Sequence, residues 1–354
     1  MAPVGIAIIG GGIFVKEQHI PAALATPLLS IKAIWSRSLK TASDAAKLIP
    51  GNTGSVDLYA TDAGAGRAYS DLLQRPDIGG LIIALPIMDQ GAYIEQALAA
   101  GKHVLAEKPI AKDVASALRL VEYYQRVSAE TNASLAIAEN FRFHESWPYA
   151  AAEIKKLGKV TGFVVRLHSM MEKTSKWYLT PWRTNPEYQG GFHLDGGVHF
   201  TAAFRKMLGS ENTVESLIAQ TSLVSPHLAP VDSINAVMKT KSGVVGSYIA
   251  SVGTTMRAFE FHIACEEGVV KAESDKVVTT RGIGEQAVTE EKTWERTSGV
   301  KEEVKAWAES ILSGIPNPAQ APELALADLE LMEKMLVSGE LDGARQKLEY
   351  QHYV

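Results

Sequence analysis

The run Val4–Ile9, "VGIAII", which stops at Gly10-Gly11-Gly12 and passes on to "QHIPAAL", constrains the fold more than any other stretch of the chain. A short apolar run that meets glycines and then helical text predicts a strand, a tight turn and a helix. The unit recurs: strands are expected at 31–35, 56–59, 80–85, 102–107 and within 134–140. Helices fall between them, at 39–48, as a turn capped by Ser70 within 69–78, over 91–100 with Gly101 as its stop, and over 113–130 from near Asp113. Alternating strands and helices imply parallel pairing through right-handed crossovers, so residues 1–130 are expected to form an α/β domain around a doubly wound parallel sheet.

From about residue 150 the rhythm changes. One helix, "AAEIKKLG", leads into strands expected at 160–170, 233–240, 244–252, 258–265, 268–273 and 276–280, several of them separated by breaks such as "KSG" and "EEG". Such breaks favour antiparallel neighbours, hence a second, α+β domain over 131–354 with a large open, mostly antiparallel sheet and tail helices near 301–313 and 322–337. At 354 residues and 46% hydrophobic the chain has length and apolar content for two cores, which excludes a disordered or disulfide-knot scaffold. Lys and Arg number 35 against 40 Asp and Glu, a net charge of -5 that argues against a nucleic-acid partner. Cys265 stands alone, the N-terminus lacks the marks of a secretory signal, and the apolar stretch near 78–88 is too short for the ~20 residues of a membrane span; a cytoplasmic protein is expected.

The glycine turn is the first chemical feature. Between a strand and a helix, Gly10, Gly12, Ile13 and Phe14 can bring backbone amides to a pyrophosphate, although Val15 stands where a dinucleotide fingerprint has its third small residue. An ordinary strand-to-helix turn has the same composition. At the end of the second strand an NAD site carries an acidic residue for the ribose diol, whereas here Ser36-Arg37-Ser38 and Lys40 appear, with no Asp until Asp44. Guanidinium and ammonium groups suit a 2′-phosphate, so NADP(H) is the expected cofactor, the alternative being a solvated polar loop. Glu107-Lys108-Pro109 ends the fifth strand, where open α/β sheets bind their ligands.

Downstream, "GGFHLDGGVHFTAAFRKMLG" reads as a helix N-capped by Asp195, with His199 four residues on and therefore on the same face. That spacing lets a carboxylate orient an imidazole able to exchange a proton; the plain alternatives are a helix cap and a buried core histidine. His193, Asp195 and His199 are also a conceivable metal set, but without Cys or further acidic ligands nearby no metal is expected. Trp177, Tyr178, Trp182 and Arg183 crowd the preceding segment, suited to the C–H faces and hydroxyls of a sugar or polyol or, equally, to anchoring a loop.

The combination "AIIGGGIF…HIPA", "AGKHVLAEKP" and "GGFHLDGGVH" resembles the Gfo/Idh/MocA oxidoreductases over essentially the whole chain, and "WRTNPEYQGGFHLDGGVH" is especially similar to fungal NADP-linked members. The resemblance implies a Rossmann domain joined to an open-sheet domain. It also implies Lys108 as the catalytic lysine touching nicotinamide ribose and substrate oxygen, Pro109 in a cis bond shaping the backbone, and Asp195 and His199 in the catalytic group. Leu85, Pro86, Glu107 and Asn140 are then expected along the cofactor, with Glu139-Asn140 equally able to cap a turn, and Trp182 and Arg183 beside it. Lys108, Trp177, Tyr178, Arg183, Asp195 and His199 are expected to face substrate. Many relatives carry Pro-Asn and then His after the fourth strand, where this chain reads Pro86-Ile87-Met88-Asp89-Gln90, which puts that histidine's contacts in doubt. The activity implied is hydride transfer between a secondary alcohol and a carbonyl of a small polar substrate, in a homodimer or larger assembly formed through the open sheet. The family also contains a non-catalytic NADP-sensing regulator and cofactor-assisted glycosidases.

Overall fold

The structure, a computed structural model, describes residues 2–51 and 54–353. It divides into two compact units, one comprising 1–111, 115–143 and 299–325, the other 112–114, 144–298 and 326–354. These are not contiguous stretches either side of residue 130. The sixth strand pairs with the fifth beyond that point, and a late helix returns to the first core.

In the first unit, β1 (Val4–Ile9), β2 (Leu29–Ser36), β3 (Asp57–Ala60), β4 (Gly80–Ile83), β5 (His103–Glu107) and β6 (Leu135–Ala138) form one sheet in the order β3-β2-β1-β4-β5-β6, every pair parallel. Strand order reverses between β1 and β4, which opens a crevice at their carboxyl ends. The helices between them are α1 (Ile20–Leu24), α2 (Leu39–Ala46), α3 (Tyr69–Leu73), α4 (Ile87–Ala99) and α5 (Val114–Thr131). α1 continues a helical stretch from Ile13 whose middle, Val15–His19, is π-wound. α3 is capped not by Ser70, which lies inside it, but at Ala68: the chain arrives there extended, and the Ala68 amide donates to Asp71 Oδ2 at 2.8 Å. α4 starts directly after Pro86, its N-cap, earlier than its glycine suggested.

The second unit holds α6 (Ser146–Lys156), α7 (Pro181–Thr184) and α8 (Phe192–Leu208) against a nine-stranded sheet. Its strands are β7 (Val160–Met170), β8 (Val214–Ser222), β9 (Ser233–Thr240), β10 (Val245–Ser251), β11 (Gly253–Cys265), β12 (Gly268–Ala272), β13 (Lys276–Arg281), β14 (Val288–Thr293) and β15 (Gln346–Lys347), in the order β14-β13-β12-β11-β7-β10-β9-β8-β15. All neighbours are antiparallel except the central pair β7 and β10. Strict alternation sends Ile234, Ala236 and Met238 of β9 inward and Asn235, Val237 and Lys239 outward. The inner face is aromatic: Phe163 and Tyr248 meet Phe204 of α8, and Trp147 of α6 sits edge-on to Phe261.

Two late helices follow, α9 (Val300–Ser313) and α10 (Pro322–Glu340). Val300, Val304, Trp307 and Ala308 lie on one stripe of α9 and join Ile6, Ile8, Ile34, Ile82 and Leu105 in the core of the first unit. Gly80 makes room for Trp307, since a Cβ there would stand 2.9 Å from the indole.

Candidate functional site

In the first unit the expected cofactor residues gather along the carboxyl rim of the parallel sheet. β1 is followed by Gly10, whose φ of 130° and whose closeness to the Ala84 carbonyl (2.4 Å from where a Cβ would sit) admit only glycine. Gly12 is the reverse case: a Cβ there would meet nothing within 4 Å. Its backbone faces the open space a pyrophosphate needs, with the half-buried Ile13 and Phe14 beginning the helix behind it. Val15, where a fingerprint wants a small residue, is buried in the core, and the helix is π-wound from that residue on.

At the tip of β2, Ser36 is buried and Arg37 is exposed, without an ion pair among the described residues. The other two residues expected there have local duties. Ser38 caps α2, its hydroxyl accepting from the Thr41 amide at 3.3 Å, and Lys40 pairs with Asp44 at 2.7 Å. Lys40 and Lys47 together hold the Asp44 carboxyl down to about 2. An acidic group the sequence reading did not place there also reaches the tip: Asp62, shortly beyond β3, accepts from the Leu39 amide at 2.6 Å. Trp35, Tyr69 and Tyr93 form an aromatic cluster beneath, with ring centroids 4.8 to 5.7 Å apart. Burial pushes the Tyr93 phenol up, the Asp89 charge adds to this, and Arg37 opposes it. The cluster escapes sequence reading because its members come from three separate elements.

Leu85 and Pro86 line the end of β4, half-buried. At the end of β5 the Lys108-Pro109 bond is cis and Lys108 is half-buried. Two side chains brace this segment. His19 and Glu107 share a hydrogen bond, Nε2 to Oε1, at 2.8 Å, while Gln90 donates from Nε2 to the carbonyls of Glu107 (2.5 Å) and Pro109 (3.3 Å). The residue in doubt after the fourth strand is thus buried and ties the backbone on both sides of Lys108. Of the two readings of Glu139-Asn140, turn capping holds for Glu139, whose Oε1 accepts from the Phe141 amide at 3.1 Å; Asn140 lies beside it, buried, in the following turn.

In the second unit the expected residues gather around the first turns of α8. Gly190 and Gly191, both at positive φ, start this helix at Phe192. Asp195 therefore does not cap it: the helix begins earlier than the sequence suggested, and the carboxylate, inside the first turn, accepts from Arg183 Nε at 2.6 Å. Arg183 also lies over Trp182, 4.0 Å from its ring centroid, and at 5.3 Å from that of Trp177. Tyr178 stacks on Phe192 and meets His227 edge-on. His199, half-buried, follows Asp195 by one turn. Gly190 and Gly197 serve packing, because a Cβ on either would collide with Leu336 or Met332 of α10, whereas Gly196 faces open space. His193 departs from the conceivable metal set: it is buried, burial pushes its pKa down, and its ring bonds to the Asp232 backbone. Among the described residues no group of three or more His, Cys, Asp or Glu could hold a metal ion, and no helix is long and apolar enough to cross a membrane.

Two family models match the chain in succession, an oxidoreductase family with an NAD-binding Rossmann fold over residues 4–133 and the C-terminal alpha/beta domain of the same family over 152–340. The chain belongs to the Gfo/Idh/MocA oxidoreductases. A Gfo/Idh/MocA relative, the dehydrogenase FPY6 of Fusarium mangiferae, is 37% identical over 98% of this chain and all of its own. Levoglucosan dehydrogenase, solved in complex with NADH, shares the fold at a TM-score of 0.82 and 18% identity, over 98% of this chain and 99% of its own. KijD10, a 3-ketoreductase from Actinomadura kijaniata solved with NADP and TDP-benzene, does so at 0.77 and 21%, over 95% and 98%. In this Gfo/Idh/MocA chain the open turn at Gly12, after the glycine-only position at Gly10, fits a dinucleotide. Gly10, Gly12, Ile13 and Phe14 would hold its pyrophosphate, and the tip of β2 its adenosine end.

Proposed function

We propose that the chain is an NADP(H)-dependent dehydrogenase or reductase of the cytoplasm, interconverting a secondary alcohol and a carbonyl on a sugar, polyol or other small polar substrate. The observation that carries this is Lys108 at the carboxyl end of β5, braced by Gln90 and Glu107 on the rim that also carries the open glycine turn and the exposed guanidinium of Arg37. Relatives named for a 3-ketoreductase and a levoglucosan dehydrogenase support the carbonyl–alcohol pair and the sugar-like substrate.

When bound, the dinucleotide supplies or takes up a hydride. Lys108 donates an N–H to the substrate oxygen and stabilises charge that is larger in the transition state than in the ground state. His199 exchanges the hydroxyl proton, Asp195 orients it, and Arg183 with Trp177, Tyr178 and Trp182 offers donors and flat apolar faces to the substrate or the cofactor.

The test combines calorimetry with NADP+ and NAD+ and a panel of aldoses, polyols and small carbonyls followed by nicotinamide absorbance, for wild type and Lys108→Met. Turnover is expected from wild type, with a loss on the order of 1000-fold in kcat for the variant. A variant as fast as wild type removes Lys108 from the chemistry, and binding of neither dinucleotide overturns the cofactor assignment. Binding without turnover would indicate a regulator. Bond cleavage with no net change in nicotinamide would indicate a cofactor-assisted glycosidase.

A second copy of the chain is the proposed partner, seated on the outward face of the nine-stranded sheet. There Val164, Ser247, Val237 and Ile218 stand side by side across β7, β10, β9 and β8, and the three apolar members are exposed.

A further inference from the structure

Glu303, in the first turn of α9, is fully buried, and among the described residues neither of its carboxylate oxygens has a hydrogen-bond partner. α9 packs against β5, β6, the turn at Asn140–Phe143 and the π-wound turn at Val15–His19, so the carboxyl group lies behind the rim that carries Lys108. The groups facing it are few. Glu107 comes from β5, Glu139 from just past β6 and Arg142 from the turn, while the π-wound turn contributes His19, already bonded to Glu107. Lys16 and Glu17 of that turn and Glu302 of α9 itself are solvent-accessible, and α1 carries no titratable side chain.

We propose that Glu303 is a positioning residue for the Glu107–Lys108 segment that works as a neutral acid, filling the ground behind β5 and β6 without adding a third negative charge beside Glu107 and Glu139. A bare carboxylate sealed from water with no donor is strongly disfavoured, so the group keeps its proton. Burial first, then the Glu107 and Glu139 charges, hold it well above the ordinary carboxyl range, and Arg142 only partly offsets them. The sign follows: the folded chain binds this proton more tightly than the unfolded chain. Stability therefore falls as pH rises above the ordinary carboxyl value of 4.5, until Glu303 itself ionises. Ionised, it would repel Glu107, loosen the 2.8 Å bond to His19 and shift the adjoining Lys108.

This builds on the dehydrogenase assignment, and the test separates the two. Difference infrared spectra of the unliganded protein at neutral pH should contain a buried protonated-carboxyl band that Glu303→Gln abolishes. The thermal midpoint of wild type should fall as pH rises above 4.5, more steeply than that of Glu303→Gln, and stop falling faster than the variant's once Glu303 ionises, while the affinity for NADP+ or NAD+, measured by calorimetry, should decline in wild type by about tenfold per pH unit once Glu303 ionises and stay level in the variant. Glu303→Met, neutral and of similar length, should behave as the Gln variant does and serves if that one fails to fold. No carboxyl band, or affinity curves of wild type and variant that superimpose over pH, would overturn the proposal. Absence of dinucleotide binding by wild type at every pH would overturn the functional assignment instead, while the band and the thermal midpoints still report the charge state of Glu303.

Discussion

At the residue scale, the choice between NADP(H) and NAD(H) comes down to Arg37 and Asp62. The stretch Ser36-Arg37-Ser38 with Lys40 was legible as a cationic tip, but its composition hid the division of labour: Ser38 is taken up as a helix cap and Lys40 by Asp44, leaving Arg37 as the available cation. Asp62 was not legible, since it lies 23 residues beyond Leu39 and meets it only because β3 pairs with β2. A charge-assisted pair between Arg37 and a 2′-phosphate is worth about 2 kcal/mol, so Arg37→Ala should weaken NADP+ by roughly 30-fold while leaving NAD+ within a few-fold. Asp62→Asn keeps an acceptor for the Leu39 amide but removes a negative charge, and should tighten NADP+ by about 2- to 5-fold. Calorimetric titration of both variants with both dinucleotides checks the pair. An Arg37→Ala variant that loses both affinities equally would show that Arg37 serves the adenosine in general, not its phosphate.

At the element scale, what could be read in advance was whatever depended on short-range pattern. The parallel strands were visible as apolar runs between glycines and helical text, and β9 and β10 as alternating ones. β8 and β14 were missed because their polar or charged outward positions dilute the apolar signal; every residue of β14 is exposed. The start of α8 was misplaced for a different reason. Asp195 looks like a cap, yet the positive-φ pair Gly190-Gly191 places the cap at Gly191, four residues earlier, and that shift puts the Asp195 carboxylate inside the first turn, where it meets Arg183. Glycines with identical appearance in the sequence therefore differ in cost. Gly10→Ala would set a Cβ against the rigid Ala84 carbonyl at a φ that side chains avoid, costing about 3 kcal/mol and on the order of 6 to 12 °C in Tm. Gly197→Ala meets only the far end of Met332, which can swing away, and should cost under about 1 kcal/mol. Thermal unfolding of the two variants side by side tests the contrast; equal losses would mean that the turn at Gly10 relaxes as readily as a methionine.

At the scale of the whole molecule, the outward face of the nine-stranded sheet is neither a normal solvated surface nor a core. Arg166 pairs with Glu260 toward one side, 2.6 Å apart, with His262 close to the same carboxylate, while Val164, Val237 and Ile218 continue the row as exposed apolar side chains, 39%, 45% and 46% accessible. A sheet covered by helices on one side only has to meet water or a partner on the other, and three exposed apolar side chains in one row, interrupted only by the small Ser247, favour the partner. If two copies meet there through a twofold axis, each apolar residue is used twice, so one substitution places two charges in the contact. Val237→Glu, central in the row and backed by a strand whose inward residues are untouched, should then convert a dimer to monomers by sedimentation analysis with Tm lowered only by the loss of association. Lys239→Glu, outward on the same strand, should have a weaker effect if it lies nearer the rim of the contact. A wild-type chain that sediments as a monomer, or a Val237→Glu variant that stays dimeric, would place the contact elsewhere and leave the apolar row to be explained by another partner.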